Sequence, residues 1–218
     1  MNAYKAIARA AFQHAVNLEI LPKNPITQVK FPIFKGKPRD RVLTDEEWQR
    51  FVGVIREHKP FILPIVEYMA TVPCRVMELA TAKREQYDPI EKHIYIPDSK
   101  AGIPIYKPVP DKMLDYFNSI PADCPWLFYQ KIGQEKYRPL IYMRHPWTYC
   151  CKKSGIVDYH IHDLRHWAVT KLLMAGNTER DVASVAGWKD TTMIKVYYLS
   201  DGRRSARSIK FSPQCTVA

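Results

Sequence analysis

The chain has 218 residues, of which 46% are hydrophobic and 25% charged, a balance typical of a folded protein with one main core. It contains no apolar run of the roughly 20 residues that cross a bilayer and begins with no long apolar stretch, which argues against a membrane span and a secretory signal. The formal charge is +11, from 33 Lys and Arg against 22 Asp and Glu, and such a surplus favours polyanionic partners, nucleic acid first.

The cysteines indicate the redox setting. There are five, an odd number, with Cys150 and Cys151 adjacent and no Cys-x-x-Cys pair. This pattern predicts reduced thiols in a cytosolic setting and argues against a disulfide framework or a zinc ribbon. Oxidised pairing is the alternative.

The first predicted element is an amphipathic helix, because Tyr4, Ile7, Ala8 and Ala11 recur at helical spacing. It should end before Asn24-Pro25, since proline disfavours helix in the residue that precedes it. Because a helix packed on nothing is rarely stable, residues 1–28 are expected to belong to a module that is missing from this chain. Residues 29–42 hold two prolines, a glycine and several Lys and Arg, which predicts a basic linker.

The main domain is predicted over residues 43–200. Thr44 and Glu47 are spaced as a capping box, and Leu43 and Trp48 occupy the positions of a hydrophobic staple, so a helix should begin here. Further helical patterns cover residues 61–72, 74–83, 111–119, 144–153, 163–175, 179–187 and 190–199.

A short β-hairpin is predicted between the helical stretches. Residues 93–97 and 105–109 read as two strands around the turn Ser-Lys-Ala-Gly, and their prolines indicate edge strands. The expected fold is therefore mainly α with a small antiparallel sheet. A basic tail follows at residues 201–218, where Arg203, Arg204, Arg207 and Lys210 either touch DNA or are disordered.

The most informative motif is Ile161-His-Asp-Leu-Arg-His-Trp. His162 and Arg165 are three residues apart and so share one face of a helix. They fall in its first turn, where free N–H groups and the helix dipole favour an anion such as phosphate. A solvated polar turn is the commoner explanation for an isolated motif of this kind. His162 and His166 could also face a metal, but no third ligand is obvious, so no metal is predicted.

Other motifs accompany this one along the chain. They are, in order, Arg-x-x-Glu-Leu at residues 75–79, a lysine in the hairpin turn, the His-x-x-Arg-His motif itself, Gly-Trp at residues 187–188, and a tyrosine nine residues later. This order resembles the tyrosine recombinases, or phage-type integrases. The resemblance implies the fold of their catalytic domain for residues 43–200, and it implies that residues 1–28 are the last helix of a core-binding domain that is otherwise absent. It also implies site residues that match in type, order and spacing, namely Arg75 of Cys74-Arg-Val-Met-Glu-Leu79, Lys100 of the hairpin turn, His162, Arg165, Trp188 after Gly187, and Tyr197.

The match has departures. The family commonly has Thr-Gly-x-Arg where this chain has Val72-Pro-Cys-Arg75, so a locally altered turn is expected. Trp188 stands where His is commoner. Tyr197 lies nine residues beyond Trp188, the usual spacing for the nucleophile, and the adjacent Tyr198 is its rival.

The residue types suit DNA strand transfer. Arg75 and Arg165 are expected to clamp one phosphate, because a guanidinium stays charged and offers a bidentate fork. Taken alone, Arg75 could instead form a surface salt bridge with Glu78. Tyr197 is the expected nucleophile, with His162 as base or phosphate hydrogen-bonder and Lys100 as the acid for the leaving oxygen. Trp188 would pack the site and could donate its indole N–H.

The resemblance implies a site-specific DNA recombinase that cleaves and rejoins double-stranded DNA through a 3′-phosphotyrosine, integrating or excising a mobile element. It implies a tetramer on DNA, no metal and no cofactor, and it allows accessory DNA-bending factors as partners. The alternatives are a type IB topoisomerase, which acts as a monomer on one duplex, and a non-catalytic DNA-binding protein of the same fold.

Overall fold

The computed structural model describes residues 2–27, 29, 41–99, 102–134 and 136–194, and the chain divides into two compact units, residues 1–38 and 39–218. Most of the predicted linker and the whole basic tail lie outside the described residues. Within the described ranges, no helix is long and apolar enough to cross a membrane.

The first unit contains the predicted N-terminal helix, α1 (Asn2–Asn17), and a 3-10 turn at Pro25–Thr27. Asn24 joins the two, because its side-chain amide donates to the backbone oxygen of Arg9 at 2.9 Å and its Oδ1 accepts from the N–H of Ile26 at 3.0 Å. Hydrogen bonds from one buried asparagine therefore hold the helix against the turn.

The second unit is mainly helical, as predicted. Its first helix, α2 (Asp45–His58), begins with the predicted capping box, in which Thr44 and Glu47 each bond the other's backbone N–H. The further helices of the described residues are α3 (Leu63–Met69), α4 (Val76–Ala80), α5 (Leu114–Asn118), α6 (Arg144–Lys153), α7 (Asp163–Met174) and α8 (Glu179–Ala186). Residues 192–194 are also helical, and the rest of the helix predicted over 190–199 lies outside the described residues.

The predicted hairpin is present as β2 (His93–Ile96) and β3 (Ile105–Pro108), paired antiparallel. The prediction that both strands are edges is wrong for β2, because β1 (Tyr87–Asp88) pairs with its other side. Pro97 follows the last residue of β2 and so costs the ladder no hydrogen bond. A second small sheet, β4 (Tyr129–Lys131) with β5 (Tyr137–Pro139), was not predicted, since strands of three residues are too short to show an alternating pattern.

One main core holds the second unit together. Phe51 and Ile55 of α2 and Leu164 of α7 are fully or nearly fully buried in it. A smaller apolar cluster joins α7 to α8 through Val169 and Val182, with Trp188 packed against it. The four described cysteines, Cys74, Cys124, Cys150 and Cys151, are free and buried.

Candidate active site

Arg75 stands at the N-cap of α4, with extended backbone angles. Its Nη1 lies 2.6 Å from Oε1 of Glu78, and its backbone N–H donates to Oε2 of the same carboxylate at 2.9 Å. Glu78 is only 7% exposed, whereas Arg75 keeps 29% of its side chain exposed. The pair is therefore no ordinary surface salt bridge, because a buried carboxylate fixes an arginine that still faces outward.

The exposed part of Arg75 faces an open groove of about 400 Å³. Thr81 and Gln86 also line the groove, as do Pro97 and Asp98, which follow the hairpin strand β2. A guanidinium on the wall of an open groove can meet a phosphate of a bound polymer.

Glu78 remains ionised in this setting. Burial raises the pKa of its carboxyl, but the charge of Lys107 and the hydrogen bonds from Arg75 outweigh burial, so the pKa lies below its ordinary value. The carboxylate is thus a permanent anchor for Arg75 at neutral pH.

Arg165 lies in the first turn of α7, three residues after His162, which is the residue that precedes the helix. Its side chain is 2% exposed, its Nη2 donates to the backbone oxygen of Ala186 at 2.7 Å, and its guanidinium carbon lies 5.1 Å from the centre of the Trp188 ring. The solvated polar turn, the alternative for this motif, does not describe Arg165, which is buried, although His162 is exposed.

The C-terminus of α8 is the meeting point of the two arginines. Gly187 ends the helix in the left-handed conformation, with φ of 72°, and turns the chain so that Trp188 faces Arg165. A Cβ placed on Gly187 would lie 4.0 Å from Nη1 of Arg75. Arg75 and Arg165, 90 positions apart in the sequence, therefore reach the same short backbone segment.

His162 lies within the electrostatic influence of both arginines. Burial lowers the pKa of its imidazole, and the positive charge of Arg165 lowers it further. Asp163 opposes these effects, and Arg75 adds a smaller lowering. The ring also meets that of His166 edge-on, with centroids 5.2 Å apart. A neutral imidazole has one acceptor nitrogen, so His162 is suited to take a proton.

Two predicted site residues, Lys100 and Tyr197, lie outside the described residues, as does the rival Tyr198. Their roles stay predictions. Among the residues that are described, no cluster of three His, Cys, Asp or Glu side chains could hold a metal ion.

The sequence interpretation missed one residue of this region, Lys107. Its Nζ lies 3.3 Å from Oε2 of Glu78, and its side chain has no exposed surface. Strand alternation could have identified Lys107 as buried. It follows Ile105 by two residues in β3 and therefore lies on the same inward face.

Known proteins similar to this chain are DNA recombinases and integrases. The model of the phage integrase family matches residues 41–204, more than half of the chain. The chain is 22% identical to the shufflon-specific DNA recombinase of Escherichia coli over 175 residues, 80% of this chain and 44% of that protein. It is 27% identical to the integrase of Salmonella phage P22 over 205 residues, 88% of this chain and 51% of that protein. The chain thus spans about half the length of the curated relatives it matches.

Solved structures show the same fold at low sequence identity. The Tn1549 transposon integrase in complex with transposon right end DNA matches 94% of this chain and 76% of its own, with a TM-score of 0.70 and 17% identity. A lambda integrase tetramer bound to a Holliday junction matches 88% of this chain and 57% of its own, with a TM-score of 0.66 and 16% identity. The mainly α fold predicted for the catalytic domain is confirmed by these likenesses.

Proposed function

Because the chain belongs to the phage integrase family, we propose that it is a site-specific recombinase that breaks and rejoins DNA strands. The reaction would pass through a covalent 3′-phosphotyrosine and serve to integrate or excise a mobile element. Arg75, Lys100, His162, Arg165, Trp188 and Tyr197 are the residues to which we assign it.

One observation carries this proposal, the convergence of Arg75 and Arg165 on the segment that ends α8. A phosphodiester resists attack because its negative oxygens repel nucleophiles, and charge grows on them in the transition state. Two preorganised guanidinium groups neutralise that charge without reorganising at the moment of reaction. They supply the positive charge that metal ions supply in other nucleases, so we propose that no metal or cofactor is needed.

The proposed steps balance around the scissile phosphate. The phenol oxygen of Tyr197 attacks phosphorus and His162 accepts the phenolic proton, since a neutral imidazole can do so. The bond to the 5′ oxygen breaks and Lys100 protonates the leaving group. Attack by a DNA 5′-hydroxyl then reverses the step and reseals a strand without ATP. Trp188, packed on Arg165, shields the site and can donate its indole N–H to a phosphate oxygen.

The assembly and the N-terminal unit belong to the same proposal. The lambda integrase structure is a tetramer on a Holliday junction, and we propose that this chain also acts as a tetramer on two duplexes, with accessory DNA-bending factors as further partners. Residues 1–28 would be the end of a DNA-binding module, and the basic linker would contact the DNA backbone.

Covalent capture tests the function without knowledge of the target site. The protein would be incubated with a pool of nicked duplexes of randomised sequence, and adducts that resist denaturant would be isolated. Wild-type protein should form adducts, Tyr197→Phe should form none while still binding DNA, and Tyr198→Phe should behave as wild type.

The result also separates the alternatives. A pure DNA-binding protein would yield no adduct from the wild-type chain, which would overturn the proposal. Relaxation of a supercoiled plasmid by the monomer, without strand exchange between duplexes, would identify a topoisomerase instead. Adducts formed by Tyr197→Phe but not by Tyr198→Phe would reassign the nucleophile.

A further inference from the structure

Lys107 is a lysine with no exposed surface on the inner face of β3. It pairs across the sheet with Ile94 and shares its face with Ile105, and both of these neighbours are apolar and buried. An ionised amine is costly to bury unless it is paired and hydrogen-bonded. An aliphatic residue at this position would cost less free energy to bury, so the presence of a charged residue here needs an explanation.

Three oxygens surround the amine. Nζ donates to the backbone oxygen of Val185 at 2.5 Å and to that of Pro73 at 3.1 Å, and it lies 3.3 Å from Oε2 of Glu78. Three acceptors match the three donors of an ammonium group, so the charged form is the one the site fits. Burial lowers the pKa of Lys107, while the charge of Glu78 opposes that effect.

The nearby thiol of Cys74 is not a second counter-charge. Burial raises its pKa to about 12, so it stays protonated at neutral pH. Glu78 is thus the carboxylate on which the ammonium depends.

These contacts join the segments that carry the two arginines. Pro73 comes two residues before Arg75, and Glu78 holds both the guanidinium and the backbone N–H of Arg75. Val185 is next to Ala186, whose backbone oxygen accepts from Arg165. The carbonyls in the last turn of a helix have no partners within the helix, and that end of the helix dipole is negative. In α8 the carbonyl of Val185 accepts from Lys107, and that of Ala186 accepts from Arg165.

We propose that Lys107 is a positioning residue for the DNA cleavage reaction, whose ammonium group sets Arg75 and the end of α8 at the separation that lets both arginines hold one phosphate. It touches neither DNA nor the reacting atoms, because its side chain has no exposed surface and its three donors are used. This inference rests on the proposed function.

The test compares rate with stability in variants of the full chain. Lys107→Met keeps an unbranched apolar stem and removes the charged amine. The measurement uses saturating nicked DNA and a temperature at which every variant is folded. We expect the covalent cleavage rate of this variant to fall on the order of 10²-fold, while its DNA affinity stays within about threefold of wild type. The reason is that misplacement of a catalytic group slows the chemical step more than it weakens binding. Lys92→Met, which removes a half-exposed lysine paired with Asp111, is the matched control and should cleave as wild type.

A double variant separates positioning from fold stability. In Glu78→Gln/Lys107→Met neither partner leaves an unpaired buried charge, so thermal stability should recover relative to Lys107→Met. The cleavage rate should not recover, because Arg75 has lost its carboxylate anchor. A rate that returns in step with the melting temperature, or a Lys107→Met variant that cleaves at the wild-type rate, would overturn the inference.

A readout without catalysis keeps the two proposals distinguishable. The guanidinium NMR signals of Arg75, assigned with an Arg75→Lys variant, should show hindered rotation in wild type and free rotation in Lys107→Met. Hindered rotation in both would refute positioning by Lys107. Absence of adducts from wild type, with the expected NMR change intact, would count against the proposed function alone.

Discussion

The two arginines of the site are held by different means. Arg75 is anchored by a side chain, the carboxylate of Glu78, and keeps 29% of its surface exposed. Arg165 is 2% exposed, bonds a main-chain oxygen at the end of α8 and lies against Trp188. The Arg75 side therefore depends on the ionisation and identity of neighbouring side chains, whereas the Arg165 side depends on where a helix ends.

This difference teaches how mutations should act on each side. A single substitution can remove a carboxylate anchor, but no substitution removes a backbone carbonyl, and only a change in the course of the chain can displace it. The position of Arg75 can therefore be changed by altering neighbouring charges. We call this the adjustable side of the site, and we call the Arg165 side, which is fixed by the backbone, the rigid side.

The largest loss of cleavage rate is expected when Arg165, the cation of the rigid side, is removed. Arg165→Met should lower the covalent cleavage rate on the order of 10²–10³-fold, as loss of one preorganised transition-state donor does. It also leaves the Ala186 oxygen buried without this donor, which should cost about 1–3 kcal/mol of stability. Single-turnover adduct formation and chemical denaturation measure the two effects. Arg56→Met on the exposed face of α2 is the control, and equal rates for the two variants would exclude a catalytic role for Arg165.

A smaller loss of cleavage is expected on the adjustable side. Glu78→Gln keeps the shape but leaves Lys107 without its counter-charge, which should destabilise the fold by about 3–5 kcal/mol. Arg75 would lose its fixed orientation, and cleavage should slow on the order of 10²-fold or less. Glu67→Gln, which breaks the exposed pair with Arg56, should cost at most about 1 kcal/mol in the same denaturation experiment. Comparable losses in the two variants would show that the Glu78 pair is an ordinary surface contact.

The meeting point of the two sides can be disturbed directly at Gly187. A Cβ there would overlap with Cδ1 of Ile105, and φ of 72° is unfavourable for alanine. Gly187→Ala should therefore lower the unfolding free energy by about 1–3 kcal/mol. Gly53→Ala, in the open interior of α2, should instead raise it by about 0.5–1 kcal/mol. Melts that show the same sign for both variants would contradict the conformation described for Gly187.

The smallest effect is expected from acidification around His162. Since the folded-state pKa of this histidine lies below the ordinary value of about 6.5, protons favour the unfolded chain, and its contribution to stability is lost as pH falls below that value. His162→Gln should therefore lose less melting temperature than wild type between pH 7.5 and 5. His145→Gln is the comparison, because this histidine lies on α6, away from the two arginines. An unchanged slope in His162→Gln would argue against a lowered pKa at His162.

Local signals predicted much of the fold well. The capping box of Thr44 and Glu47 and the helical pattern of residues 144–153 gave correct starts and bounds, because caps and periodicity act within a few residues. The second sheet escaped prediction because three-residue strands carry no pattern. The edge position of β2 was wrong because β1, a two-residue strand, pairs with it.

The amino-acid sequence by itself determined the types, order and spacing of the residues that we predict to bind a phosphate, since motif spacing is a local property. Only the tertiary structure decided that Arg75 and Arg165 meet at the end of α8 and that Lys107 lies beneath them. The physical reason is that these contacts join residues 21 to 112 positions apart in the chain, and their geometry depends on how the whole core packs rather than on the preference of any one segment.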